Sequence, residues 1–344
     1  MGTPDKALPA AGLKITVLVA VYNAEHFLPQ CLGSLSRQTY GRFEAICIDD
    51  CSTDHSLQLL QDQAAADSRF RVLHLDRNQG QAHARNEGLK QATGDVITFL
   101  DSDDWLADDA LEQLADAYRS HPLADSVLFR VMKVKADGSQ MPYPMEPFDA
   151  MDGKKAFELS LDWSIHGWYA LRAPLFHRYP YDESCRAYSD DNTTHLHYYM
   201  SRQVCCCAGI YYYRDNSESV THAASPRRFD FLRATISMKQ QLLDLRVDNR
   251  ILDIYERQRW LILVDTCLFC YHHGRELRTD DLREGYALIR SLWRTVEVHR
   301  LPWRLRWKFG YMPCRHLWPL FVAEERLYFW LRDLKYRRGQ EEHF

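Results

Sequence analysis

The chain has 344 residues, 46% of them hydrophobic and 26% charged, which is typical of a globular protein with one large domain or two ordinary ones. Its formal net charge of −4 gives no overall argument for nucleic-acid binding, and no apolar run reaches the roughly 18 residues that span a bilayer. The N-terminus lacks the apolar core of a signal peptide, so we predict a disordered lead-in over residues 1–12. The ten cysteines are then expected as reduced thiols, and the protein is expected in the cytoplasm.

The first third of the chain alternates between strand-like and helix-like segments. Apolar runs of strand length lie at 14–22, 42–50, 70–76 and 95–101, and segments with helical spacing separate them. This alternation predicts a mostly parallel α/β sheet with helices on both faces. Ligands of such sheets bind beyond the carboxyl ends of the strands, and three of the four ends carry polar clusters, "YNAE", "DDCSTD" and "DSDD". The chemistry is therefore expected at that edge.

The pattern changes further along the chain. A helix at 108–120 and a strand at 125–134 follow, and then residues 137–185 are predicted to be loops with a short helix near 153–161. Residues 205–214 are strand-like, whereas the chain beyond about Pro226 is predicted to be helical. We therefore expect an α/β domain over 13–224 and a helical region over 225–344, which serves acceptor, membrane-surface or oligomer contacts.

The strand at 95–101 ends in three carboxylates within four residues, Asp101, Asp103 and Asp104. In one interpretation, Asp103 or Asp104 only caps a helix that begins near Trp105. In the other, the carboxylates hold Mg²⁺ or Mn²⁺, which one or two carboxylates bind together with substrate phosphates. The turn after the first strand, "AVYNAEHF", has no glycine, which argues against a dinucleotide-binding Rossmann turn and a P-loop. A nucleotide diphosphate would then need a metal, and we favour the cation.

Four motifs, in order and at suitable spacing, resemble the inverting family-2 glycosyltransferases of the GT-A fold, the type that builds bacterial capsule, lipopolysaccharide and exopolysaccharide. They lie in "VLVAVYNAEHFLPQCLGSLSRQTYGRFEAICIDDCSTD" and "NQGQAHARNEGLKQATGDVITFLDSDDW". The resemblance is specific over about 14–120 and weaker to about 222. It implies transfer of a sugar from a nucleotide-diphosphate donor, with a UDP-sugar favoured, to a glycan or lipid-linked glycan.

The resemblance also implies roles for residues in the first half. Tyr22 would lie against the nucleotide base, Asp50 would accept a hydrogen bond from the base ring, and Arg85 would face donor phosphate or sugar. Glycine is commoner than cysteine at position 51, which puts the geometry of that turn in question. Asp103 would be the metal ligand of the DxD motif. The residues assigned to the donor nucleotide are Val21, Tyr22, Asn23, Glu25, Asp50, Arg85, Asp101 and Ser102.

Sugar transfer also requires a base that takes the proton of the attacking hydroxyl. "YSDDNTTH" offers Asp191 as that base and Asp190 as a supporting residue, although two acids favoured by a helix N-terminus would look the same. The resemblance suggests His222 as a further metal ligand. Trp168 either stacks on the acceptor sugar or is an ordinary core residue.

Two other features have competing interpretations. "CLFCYHH" at 267–273 contains half of a zinc site, but its apolar neighbours favour a buried helix. The basic and aromatic C-terminal region is either a helical face packed on the protein or a surface for anionic lipid on the cytoplasmic side of a membrane, whereas nucleic acid is not expected. Besides the transferase, a non-catalytic glycan-binding scaffold stays open, as does, less favoured, a sugar nucleotidyltransferase.

Overall fold

The computed structural model describes residues 12–146, 148–185, 188–215, 225–306 and 317–341. It divides into two compact units, Met1–Ser219 and Val220–Phe344, and each is described by itself below. The boundary between the units thus lies close to the one predicted from the sequence, between residues 224 and 225. All but the last residue of the expected lead-in at 1–12 lies outside the described residues.

The described part of the first unit contains one mixed sheet. Its strands are β1 (Ile15–Val21), β2 (Phe43–Asp49), β3 (Phe70–His74), β4 (Val96–Phe99), β5 (Trp105–Leu106), β6 (Ala124–Val134), β7 (Gln140–Pro142), β8 (Ala150–Asp152), β9 (Tyr169–Arg172) and β10 (Gln203–Arg214). The order is β3-β2-β1-β4-β9-β6-β10-β5, with β7 paired to β6 and β8 to β10. Strands β1 to β4 are parallel, and β9 is antiparallel to both of its neighbours. The parallel sheet predicted for the first third is confirmed.

Helices cover both faces of this sheet, so strands β1, β2 and β4 are buried along their whole length. Along β1, Ile15, Val17 and Val19 point into one apolar cluster, whereas Leu18 and Ala20 point into the other. This alternation follows from the two-residue period of a strand. The helices of the unit are α1 (Leu28–Ser36), α2 (Ser56–Ala66), α3 (Gln81–Leu89), α4 (Ala110–Ser120), α5 (Gly153–Ser160), α6 (Ala173–Arg178) and α7 (Ser189–Met200).

The second unit is helical in its described residues, as predicted. It contains α8 (Asp230–Asp244), α9 (Asn249–His273), α10 (Thr279–Thr295), α11 (Trp303–Arg306) and α12 (Trp318–Glu341). Its core is built around Trp260, Trp293 and Phe321, which are almost completely buried. None of the described helices is both long and apolar enough to cross a membrane.

Two alternatives from the sequence can now be decided. Trp105 and Leu106 form the short strand β5, and the next helix begins only at Ala110, so the interpretation of Asp103 or Asp104 as a helix cap is wrong. Cys267 and Cys270 are buried on α9, as expected for a buried helix. No group of three or more metal-ligand side chains of the kind that zinc requires occurs within the described ranges.

Candidate active site

The loops after β1 and β2 are joined at the edge of the sheet. Val21 ends β1 opposite Asp49 of β2. Asn23, with φ of 50°, accepts a hydrogen bond from Thr53 N at 2.8 Å and donates its own N–H to Ser52 Oγ at 3.1 Å. These bonds connect the two loops, and the neighbouring residue Tyr22 is 51% exposed. An exposed aromatic ring at this position is available to stack on a flat ligand.

Glu25 is engaged within the same pair of loops. Its Oε2 accepts from His55 N at 2.9 Å and lies 2.8 Å from His55 Nδ1, and these bonds lower the pKa of Glu25. Asp54 accepts from Glu25 N at 3.1 Å and from the backbone N of Ser56, the first residue of α2, at 2.9 Å. In this arrangement the carboxylate of Glu25 connects the loop after β1 to the loop after β2.

Asp50 is buried and holds the segment that leads into α3. Its two carboxylate oxygens accept from Gln79 N at 2.9 Å and from Gly80 N at 2.8 Å. Gly80 has φ of 94°, a left-handed conformation that glycine adopts without steric cost. Asp50 therefore fixes the start of α3, the helix that carries Arg85.

Arg85 is the centre of the charge arrangement. Its guanidinium is almost completely buried, lies 4.3 Å from the ring centroid of Phe99 and 5.1 Å from that of Tyr181, and forms an ion pair with Asp101. Gln81, one helical turn earlier on α3, also donates to Asp101 at 2.9 Å. Burial disfavours the charged guanidinium, but the neighbouring acidic groups outweigh it and raise the pKa of Arg85. A permanent positive charge thus stands beside Asp101.

The remaining carboxylates of the "DSDD" turn are held from β10. Arg214 donates from Nε to the Asp103 carbonyl oxygen at 2.7 Å and from its backbone N to Asp104 Oδ1 at 2.7 Å. The side chain of Asp103 makes neither bond, and burial together with the charge of Asp101 raises its pKa to about 6. Asp104 is buried and its Oδ2 has no hydrogen-bond partner. The turn therefore holds more negative charge than the two arginines balance.

Asp190 and Asp191 lie in the first turn of α7, as predicted, and both are half-buried. Burial raises the pKa of Asp190, with the charge of Arg85 opposing and that of Asp101 adding to the effect. The pKa of Asp191 is raised well above its usual range by burial and by the charge of Asp190. Asp190 of α7 and Asp101 of the "DSDD" turn therefore lie within electrostatic range of each other, although they are far apart in sequence.

The remaining predicted site residues are Trp168, Ser102 and His222. Trp168 is partly buried and packs among Tyr143, Tyr211 and Tyr213, with ring centroids 5.1 to 6.0 Å away. Packing in the core accounts for it without a sugar. Ser102 is half-buried between the acids of the turn, and His222 lies outside the described residues.

The residues present fit a hard divalent cation. Asp103 and Asp104 supply oxygen ligands whose negative charge is only partly balanced, and one or two carboxylates completed by substrate phosphates are a usual Mg²⁺ arrangement. The described residues contain no cluster that would form a complete metal cage from protein side chains alone. A cation at this turn would therefore depend on the donor for the rest of its ligands.

Sequence analysis missed several residues that build this site. Arg214, Gln81 and Tyr211, whose hydroxyl accepts from Asp101 N at 3.1 Å, were not singled out. Arg214 is the last residue of β10 and Gln81 the first of α3, so each lies at the end of an element that reaches the ligand-binding edge. A polar residue at such an end of a predicted strand or helix was the sequence signal that could have identified them.

The fold is that of a GT-A domain. Residues 16–179 match the model described as glycosyl transferase family 2. The resemblance inferred from the motifs is therefore confirmed.

Individual relatives agree with this assignment. An uncharacterised glycosyltransferase of Haemophilus influenzae is 46% identical over 99 residues, which cover 29% of this chain and 40% of that protein. EpsJ of Bacillus subtilis, an uncharacterised glycosyltransferase, is 31% identical over 220 residues, 60% of this chain and 62% of EpsJ. The chain thus spans less than two thirds of the length of these curated relatives.

A solved structure resembles nearly the whole chain. The crystal structure of Staphylococcus aureus TarS 1–349 in complex with UDP-GlcNAc has a TM-score of 0.72, covering 95% of this chain and 92% of TarS 1–349 at 20% identity. At that identity the likeness establishes the fold.

Proposed function

We propose that this chain is a metal-dependent inverting glycosyltransferase that moves a sugar from a UDP-sugar to a hydroxyl group of a growing surface glycan. The observation that carries the proposal is the ion pair between the buried Arg85 and Asp101, which follows β4, at a place where the charge of Arg85 also acts on Asp190 of α7. A charge arrangement of this kind, with perturbed pKa values at the ligand-binding edge of an α/β sheet, is characteristic of functional sites.

The donor nucleotide occupies the edge between the loops after β1 and β2. The exposed ring of Tyr22 stacks on the base, the main chain from Val21 to Asn23 lines its pocket, and Asp50 holds the wall formed by Gly80. Support for a uridine donor comes from TarS, which was crystallised with UDP and with UDP-GlcNAc. TarS of S. aureus is named a poly(ribitol-phosphate) β-N-acetylglucosaminyltransferase, which supports a surface polymer as acceptor.

Mn²⁺ or Mg²⁺ would be held by Asp103, with His222 as a further candidate ligand. Another GT-A structure of 14% identity and TM-score 0.50, GalNAc-T7, was solved with UDP, GalNAc and Mn²⁺. Such a cation acts as a Lewis acid that stabilises the negative charge of the leaving diphosphate. Arg85 fixes Asp101 in place, since its guanidinium is buried and forms an ion pair with that carboxylate.

Asp191 is the base of the reaction. The acceptor hydroxyl oxygen attacks the anomeric carbon, its proton passes to the Asp191 carboxylate, and the bond from the anomeric carbon to the diphosphate oxygen breaks with its electron pair leaving on UDP. The raised pKa of Asp191 makes it a stronger base than an exposed aspartate. Asp190 supports the ionised Asp191 or binds the acceptor. Attack opposite the leaving group inverts the anomeric configuration.

The second unit provides a peripheral contact with anionic lipid. Residues 225–344 contain 23 Lys or Arg against 16 Asp or Glu, whereas residues 1–224 contain 20 against 31. On α12 the side chains of Leu327, Trp330 and Leu331 are each more than half exposed. Exposed tryptophan and leucine beside arginine suit the headgroup region of a bilayer, which would bring the enzyme to a lipid-linked acceptor at the cytoplasmic face.

Vesicle co-sedimentation tests this contact. Binding is expected with vesicles that contain phosphatidylserine and not with neutral ones, and Trp330→Ala should weaken it by removing an anchor. Leu243→Ala changes an exposed leucine on α8 and is the matched control. Equal binding of the two variants, or none by the unchanged protein, would refute the membrane contact.

A panel of UDP-, GDP- and dTDP-sugars, assayed for nucleotide release with and without Mn²⁺, tests the activity itself. We expect release from a UDP-sugar. Asp191→Asn should keep UDP binding and lose about 10²- to 10⁴-fold in transfer, because a general base contributes that much. Asp62→Asn, an exposed residue of α2, is the control and should be fully active. Full activity of Asp191→Asn would remove the assignment, and no UDP binding by the unchanged protein would favour a scaffold.

A further inference from the structure

The segment Tyr181–Glu183, which precedes α7, is bonded closely to α3. Asn86 donates from Nδ2 to the Tyr181 carbonyl oxygen at 2.9 Å and to Glu183 Oε1 at 2.6 Å, and its Oδ1 accepts from Tyr181 N at 2.9 Å. His83, one turn earlier on α3, has its Nδ1 2.8 Å from Glu183 Oε2. One asparagine thus satisfies both polar main-chain groups of Tyr181.

The same segment is bonded to the start of α7 on its other side. Asn192 donates from Nδ2 to Asp182 Oδ2 at 2.8 Å, and Thr193 Oγ1 accepts from Asp182 N at 2.9 Å. Asn192 and Thr193 are buried and directly follow Asp190 and Asp191 in sequence. The segment 181–183 is therefore a bracket between the middle of α3 and the first turns of α7.

The bracket acts on the residues that the reaction needs. Arg85, the partner of Asp101, is adjacent to Asn86 on α3, and its guanidinium lies over the ring of Tyr181. Through these contacts, one short stretch of α3 fixes both Asp101 and the helix that carries the two α7 acids. Tyr188, just before that helix, has φ of 64°, which a non-glycine residue keeps only where its surroundings hold it there.

We propose that Asn86, His83 and Glu183 are positioning residues that hold Asp190 and Asp191 at the distance from Asp101 that sugar transfer requires. This proposal rests on the proposed function. None of the three needs to touch the reacting atoms: they act through the segment 181–183. Because a misplacement of about 1 Å can cost about 10²-fold in rate, loss of the bracket should appear in kcat.

The experiment compares Glu183→Ala and Asn86→Ala with a matched control, Glu87→Ala. Glu87 is a carboxylate on α3 that pairs with Lys90 and lies 3.8 Å from His83 Nε2, on the side of that ring away from Glu183, so its removal leaves the hydrogen bonds of His83 and Asn86 to Glu183 in place. Glu183 is partly exposed, so its variant is expected to fold. Glu183→Gln is the rescue variant, because an amide oxygen can still accept the hydrogen bond from Asn86.

We expect Glu183→Ala and Asn86→Ala to lower kcat about 10- to 100-fold, with UDP affinity and donor KM within about twofold of the unchanged protein. Amide hydrogen exchange over 190–194 should become faster in both. Glu87→Ala should change none of these quantities, and Glu183→Gln should recover most of kcat.

The possible results separate the two proposals. Lower melting temperatures with unchanged kcat of the folded variants would mean that the bracket is only structural, and the positioning proposal would be wrong. Equal losses for Glu87→Ala would also refute it. An unchanged protein without transfer from any donor would refute the proposed function, and the positioning proposal with it, whatever the exchange data show.

Discussion

Buried carboxylates occur in both units, but the charge around Glu256 of the helical unit is balanced, whereas that of the acids at the edge of the sheet is not. In the helical unit, Glu256 is fully buried and lies 2.7 Å from Lys239 Nζ and 2.8 Å from Arg259 Nη1. Burial alone would raise the pKa of neighbouring Glu297, but hydrogen bonds from Lys239 and Arg300 outweigh it and lower that pKa to about 2. These acids are paired with basic side chains within the same unit.

The acids at the edge of the sheet differ in the direction of their pKa shifts. Burial and mutual repulsion raise the pKa values of Asp103, Asp104, Asp190 and Asp191. Arg85 forms an ion pair with Asp101. Arg214 donates from its side chain to the Asp103 carbonyl oxygen and from its backbone N to Asp104, so the carboxylate charges of Asp103 and Asp104 are not balanced. Burial of an acid therefore does not distinguish a structural from a functional role. A missing countercharge also occurs at Glu325 of α12, where burial and Glu324 raise the pKa to about 8, so it is informative only where several acids meet at the ligand-binding edge.

The largest effect is expected where a balancing cation would come from outside the protein. Asp103→Asn should abolish the stimulation of transfer by Mn²⁺ and lower kcat/KM about 10³-fold, because the leaving diphosphate loses electrostatic stabilisation. The free energy of unfolding of this variant should not fall, since neutralising Asp103 removes repulsion from Asp101. Metal titrations of transfer and thermal melts measure the two quantities. Undiminished Mn²⁺ stimulation in this variant would place the cation elsewhere.

The reverse result is expected in the helical unit. Glu256→Gln leaves Lys239 and Arg259 without their buried carboxylate and should lower the free energy of unfolding by about 3 to 5 kcal/mol. Chemical denaturation checks this, and the specific activity of the folded fraction should be unchanged. A variant as stable as the parent would show that this ion-pair network contributes little.

The pH dependence of transfer should reflect the raised pKa of Asp191. A base must be ionised, so kcat is retained above this pKa and lost as the pH falls through it, at a higher pH than the value of about 3.9 for an exposed aspartate. Asp190→Asn removes the charge that helps to raise the pKa and should move the acid limb of the kcat–pH profile to lower pH. If the acid limb does not move in this variant, the charge of Asp190 does not influence the pKa that controls kcat.

The smallest effect concerns Cys51, where the family commonly has glycine. Cys51 has φ of 61°, so the structure explains the preference for a residue without a side chain. Cys51→Gly relieves backbone strain but also frees the unfolded chain, and a gain of at most about 1 kcal/mol in unfolding free energy is expected. Denaturation of the variant measures it, and a loss above about 1 kcal/mol would show that the thiol packing matters more than the strain.

The parts of the structure that depend on local sequence could be predicted. The alternation of β1 to β4 with α1 to α3 follows from apolar spacing, and the acids after these strands marked the edge where the site lies. Strand β5 was missed because its two residues, Trp105 and Leu106, become a strand only by pairing with Tyr211 and Tyr212 of β10. No local pattern contains such a partner.

The same limit applies to the site. The acids Asp101, Asp103, Asp190 and Asp191 were found because their types and order are visible in the sequence. The bond of Arg214 to Asp103 joins residues 111 positions apart, and that of Asn86 to Glu183 joins residues 97 apart. Such contacts depend on tertiary folding, so the residues that hold the acids in place became apparent only in the structure.

Calorimetric titration of the protein with UDP, with and without Mn²⁺, tests most directly whether the acidic edge binds a cation together with the donor. The account predicts that Mn²⁺ strengthens UDP binding at least tenfold in the unchanged protein, and that Asp103→Asn loses this gain while keeping the metal-free affinity. UDP binding of equal strength with and without the metal would contradict it.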